Sequence, residues 1–178
     1  MIKKIIIAII LLAIIGIGGV FYINSQDKYD ATKYSAEASK GLEVGSFITF
    51  TLPDQFDVSH SLDSSVKKLV VVFTKENGHL VNEFISSQAK GFMKSKNALL
   101  IADISKMPVV IRNTFALPSL QKSDYPTALI YDEKLSSVFK NSNKEKEIHL
   151  IQLENNRLKN ISYTTDVKDI EKFLKWKR

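Results

Sequence analysis

His60, His79 and His149 are the residues of this chain best suited to proton transfer or metal ligation, because imidazole changes charge near neutral pH and binds metals in its neutral form. Their spacing works against both uses. No two of them stand four apart on one helical face, so no metal site is expected. Ser61, Ser64, Ser65, Ser86 and Ser87 offer hydroxyls, yet none sits in the sharp strand-to-helix elbow that exposes a nucleophilic serine. Asp54 and Asp57 fall in Pro53-Asp-Gln-Phe-Asp57 and read as turn formers rather than an acid pair. Asp103 ends an apolar run, at the strand edge where α/β folds place functional groups, and reads as a cap. Cysteine is absent, which removes disulfides, thiolate nucleophiles, iron–sulfur clusters and thiolate zinc sites together. No catalytic residue, metal or cofactor is expected from these residue types.

The elements that would carry such residues begin with a membrane segment. Ile5 to Ile23 is unbroken by any polar residue; at 1.5 Å per residue it reaches about 28 Å, near the ~30 Å hydrocarbon core of a bilayer. The run continues through Val20, Phe21, Tyr22 and Ile23, beyond any signal-peptide cut near Gly16 or Gly18, so an uncleaved anchor is expected. Lys3 and Lys4 precede it. Positive flanks stay inside, which puts residues 1–4 in the cytoplasm, a single span at 5–23 in the inner membrane and everything from Asn24 onward outside.

Residues 24–40 lack apolar periodicity and read as a tether that spaces the domain from the membrane. Residues 41–178 read as one extracytoplasmic domain. Phe47 to Leu52 and Val58 to Leu62 form an expected hairpin, and Lys68 to Phe73 reads as a central strand buried on both faces. Leu80, Val81, Phe84 and Ile85 recur at helical spacing, with the helix running to about Gly91, and Ala98 to Ala102 is a second buried strand, completing a parallel βαβ unit. Pro108 opens a short helix that Pro118 closes. Tyr125 to Tyr131 is a third strand, Ile148 to Leu153 and Leu158 to Tyr163 form a hairpin around Asn155-Asn156, and a helix begins near Thr165.

The net charge is +6. Much of the excess lies at Lys168, Lys172, Lys175, Lys177 and Arg178, as a solvated helix end would carry it; no basic stripe interleaved with aromatics suggests nucleic acid. Asn160-Ile-Ser162 fits a glycosylation sequon, relevant only in a eukaryotic secretory route.

This order of elements, with proline before the third core strand, resembles the thioredoxin fold in its peroxiredoxin-like and membrane-tethered versions, across roughly 41–174. The resemblance implies a three-layer α/β/α sandwich with an N-terminal β-hairpin. It implies that the paired redox cysteines would fall within Asn77-Gly-His-Leu-Val81 and a buried acid near Val72, and neither is present. It also implies that Tyr125-Pro126-Thr127 is the family's proline before the strand, with Pro126 in the cis form. The anchor together with Val81-Asn-Glu-Phe-Ile85, Ala102-Asp-Ile-Ser-Lys-Met-Pro108 and Phe115-Ala-Leu-Pro118 also resembles small bacterial envelope proteins of unknown function. Some of those carry the name FAD/FMN-containing dehydrogenase, a name that no glycine-rich phosphate loop in this sequence supports.

The resemblance implies a non-redox binding or assembly module in the cell envelope, with an envelope protein as partner and a recognition surface at Asn77, Gly78, His79, Tyr125, Pro126 and Thr127. Its alternatives are a flavin-binding oxidoreductase-like protein and a structural subunit of an envelope complex.

Overall fold

The computed structural model describes residues 2–175. Lys177 and Arg178, part of the basic C-terminal end, lie outside the described residues. The N-terminal apolar run forms α1 (Ile2–Ser25). The middle of the helix stands clear of the domain, with Leu12 69% and Ile17 71% exposed, and by length and composition Ile5–Ser25 could cross a membrane.

Eight strands follow in two sheets. β1 (Ser35–Ala38), β2 (Ile48–Pro53) and β3 (Ser59–Ser61) make a small antiparallel sheet. β4 (Lys68–Val72), β5 (Ala98–Asp103), β6 (Thr127–Ile130), β7 (Ile148–Glu154) and β8 (Arg157–Thr164) make a larger one in the order β6-β5-β4-β7-β8. The apolar run of β4 occupies the centre because it must be buried on both faces. It pairs in parallel with β5 and antiparallel with β7. Asn155 and Asn156 adopt positive φ and turn β7 into β8, as asparagines tolerate in tight hairpins.

Alternation along the strands divides the core in two. Leu69 and Val71 of β4 pack with Ile101, Ile130 and Ile151 against Ile48, Phe50 and Leu52 of the small sheet and against Phe139. Val70 and Val72 face the other way, onto Val81, Phe84 and Ile85 of α2 (Lys75–Ser86) and Ile170 and Leu174 of the C-terminal helix. α3 (Phe92–Ser95) brings Met93 to that second face. The result is the expected thioredoxin-like, three-layer α/β fold with an N-terminal hairpin.

Two segments depart from the sequence reading. The supposed tether carries β1, whose Ala36 is buried opposite Phe50, so the domain starts well before Gly41. Pro108 lies just ahead of α4 (Val109–Ile111) as its cap, and Pro118 sits at the first turn of α5 (Leu117–Leu120) instead of ending a helix. Between them Arg112–Ala116 winds as a π-helical stretch, closed by Leu117 N–H donating to Arg112 O. Proline has no N–H for the α-helical ladder, and one wide turn absorbs the mismatch. α6 (Glu133–Ser136) and α7 (Val167–Lys175) complete the chain.

Candidate functional site

The turn where the resemblance places redox cysteines is an ordinary helix start. Thr74 caps α2, its Oγ1 accepting from Asn77 N at 3.2 Å, which satisfies one of the free N–H groups of the first turn. Asn77 is buried and its Nδ2 donates to Lys146 O at 3.0 Å. His79 is exposed on α2, and Val72 beneath is buried apolar core. The connection from β4 to α2 is Phe73-Thr74, without glycine.

The other half of the expected surface is interior. Tyr125 packs in the core and its hydroxyl meets Asn82 Oδ1. Thr127 is fully buried, leaving Pro126 exposed. The peptide before Pro126 is trans, since no cis bond occurs among the described residues. Pro126 instead leads into an edge strand of the large sheet, a place where a missing N–H costs nothing. Gln55 holds that edge: its Nε2 donates to Tyr125 O at 2.9 Å and its Oε1 accepts from Thr127 N at 2.8 Å. Of the six residues, Asn77, Tyr125 and Thr127 therefore act in packing, so the six do not make one open recognition surface.

Asp54 and Asp57 are turn residues, as their spacing suggests. Asp54 Oδ1 accepts from Phe56 N and Val58 N, its Oδ2 meets His60 Nε2 at 2.9 Å, and Asp57 has φ of 62°. Asp103 accepts from Ser105 N and from the Ser136 hydroxyl, tying β5 to α6. His149 is buried between Phe73 and Tyr163, its ring nitrogens 3.0 and 3.1 Å from Phe139 O and Lys144 O. Burial pushes its pKa below the usual histidine value.

A different site appears where α1 meets the domain. A cleft of about 430 Å³ is lined by residues that include Ile23, Asp27, Tyr29, Gln55, Phe56, Arg112 and Tyr131. Asn113 Nδ2 donates to Asn24 O and Gln26 O at 3.0 Å each, satisfying backbone at the end of α1. Arg112 Nη2 donates to Asp27 Oδ1 at 2.5 Å while its guanidinium lies 4.7 Å from the centre of the Tyr131 ring. Tyr29 stacks between Tyr131 and Tyr34, at 4.8 and 5.6 Å, and the Tyr34 hydroxyl donates to Asp57 Oδ1 at 2.9 Å. The segment after α1 is thus a strap bound along the domain.

This strap site is chemically unsaturated. Arg112 is 3% exposed, and its Nε, like the buried Tyr29 hydroxyl, has no hydrogen-bond partner among the described residues. Such groups are costly when left unpaired, which favours a polar occupant beside them. Burial pushes the Tyr131 phenol up to about 12 in spite of Arg112; burial and then the bond to Asp57 do the same to Tyr34. Sequence reasoning missed the site because its parts are far apart. The available signals were an arginine inside an apolar helix, one of three arginines in a chain whose other strong cations are lysines, and two tyrosines in the tether.

No family model and no curated protein matches the chain. Among solved structures it is similar to a SCO1/SenC family lipoprotein from Bacillus anthracis str. Ames, at 14% identity, covering 78% of this chain and 98% of that one with a TM-score of 0.49. It is similar to the peroxidoxin BcpB from Mycobacterium tuberculosis, at 15% identity, 75% and 93% coverage and a TM-score of 0.46. It is also similar to the thioredoxin domain of a thiol-disulfide oxidoreductase from Bacteroides vulgatus, at 16% identity, 75% and 97% coverage and a TM-score of 0.44. Identities this low carry over no activity.

Proposed function

We propose that this chain is a membrane-anchored, thioredoxin-like module of the cell envelope that binds a partner without thiol chemistry. α1 serves as a single-pass anchor with its N-terminus in the cytoplasm, and the domain lies outside, as Lys3 and the apolar run favour. Thiol–disulfide exchange needs a thiolate, and the chain has no cysteine. Recognition is assigned to the cleft beside the strap in place of the α2 surface expected from the resemblance. One observation carries this reading: a buried guanidinium with an unpaired Nε faces a cleft large enough for a side chain or small ligand.

Site-specific photo-crosslinking in living cells tests it. A photoreactive residue at the exposed rim positions Lys28 or Pro118 is expected to give a reproducible protein adduct, and one at His79 is not. Adducts from position 79 with silent rim positions would overturn the assignment.

A further inference from the structure

From the geometry around the outer end of α1 we infer that the domain rests on the bilayer itself, with Ile111 and Phe115 seated in the headgroup layer. This inference rests on reading α1 as a membrane anchor. The apolar run ends at Ile23 and α1 ends two residues later at Ser25, about 3 Å further along the helix and inside the ~5–7 Å that headgroups add to each side of the hydrocarbon, with Gln26 and Asp27 following directly. Those are the residues that the domain grips: Asn113 holds the Asn24 and Gln26 carbonyls, and Arg112 holds Asp27. α4 and the π-helical stretch accordingly lie against α1, at the depth where the chain leaves the membrane.

On these same two turns Ile111 is 45% and Phe115 is 63% exposed. A spacing of four puts them on one side of the helix. Phe56, 55% exposed, belongs to the turn between β2 and β3, which lines the cleft beside Ile23 and Asn24. Of the six exposed large apolar residues outside α1 among the described residues, Phe56, Val58, Ile111 and Phe115 belong to α4, the π stretch or that turn, leaving Val44 and Phe47 elsewhere. Exposed apolar side chains gathered around a membrane exit, and continuous with the span, match an interfacial lipid surface. The strap fixes this orientation, so the cleft opens close to the membrane and meets partners presented there.

The native chain has no cysteine, which makes single-thiol labelling clean. Full-length protein with Phe115→Cys or Ile111→Cys is spin-labelled and reconstituted into phosphatidylcholine–phosphatidylglycerol vesicles. Leu12→Cys marks lipid and Lys159→Cys marks water. Labels at 111 and 115 are expected to collide with dissolved oxygen more than with an aqueous nickel chelate, at shallower depth than position 12. Labels at 111 and 115 that behave like position 159, or are shielded from both reagents, would overturn the inference while position 12 in lipid leaves the anchor intact. Position 12 in water would instead defeat the anchor reading, and this inference with it.

Discussion

The strap cleft and the start of α2, where the resemblance placed the recognition surface, are organised in opposite ways. At α2 the polar groups are paired: Thr74 caps the helix and Asn77 is bound to Lys146 O. At the cleft, four segments converge and leave Arg112 Nε and the Tyr29 hydroxyl open. A helix start needs its cap whatever chemistry surrounds it, because capping serves the backbone. Two of the five unpaired buried side-chain atoms among the described residues thus belong to the cleft, which is the ground for the recognition role proposed there.

The largest expected effect comes from breaking the strap. Arg112→Ala removes a buried cation, the ion pair to Asp27 and the contact with Tyr131, and is expected to destabilise the domain by about 2 kcal/mol; this is less than for a fully buried pair because Asp27 is about half exposed. Thermal unfolding of the full chain in detergent checks it. Tyr29→Ala removes two stacking contacts, each worth roughly 0.5–1.5 kcal/mol. Trypsin should then cut at Lys28 and Lys33 faster, with the domain still folded; unchanged cutting would mean that the strap is not held by the stack.

Smaller effects are expected at α2. Asn77→Ala leaves Lys146 O without its donor and should cost about 1 kcal/mol, while His79→Ala at an exposed position should stay within about 0.5 kcal/mol. A larger loss at His79 would make α2 more than a capped helix.

The two ends of the pH scale separate the regions further. Tyr34 and Tyr131 stay neutral up to about 12 when folded, against 10.0 for free tyrosine. The unfolded or undocked chain ionises first, so strap docking weakens as pH rises from about 10 towards 12. Tyrosine absorbance near 295 nm and trypsin cutting should change together. His149 has a lowered pKa, so the unfolded chain takes up the proton first and stability falls as pH drops below 6.5. His149→Gln should flatten that acid slope without moving the alkaline one, in unfolding curves followed across pH.

How much of this was legible in the sequence follows from how local each feature is. Strands β4 and β5, the asparagine turn of the last hairpin and the two amphipathic helices α2 and α7 were readable because periodicity and turn chemistry act over a few residues. The candidate surface was not, because an alternating pattern does not say which polar residue ends up under a helix. Asn77 and Tyr125 look exposed by type and are buried by position.

By itself, the sequence determined the apolar span, the exclusion of thiol chemistry and most of the order of elements, since these depend on composition and on short-range pattern; the thioredoxin-like reading of that order came from resemblance. Only the tertiary structure decided that the tether is a strap, that Gln55 holds the edge at Thr127, and that Asp27 meets Arg112. Those pairs lie 72 and 85 residues apart. Contacts at such separations follow from how layers pack, which no local window of residues encodes.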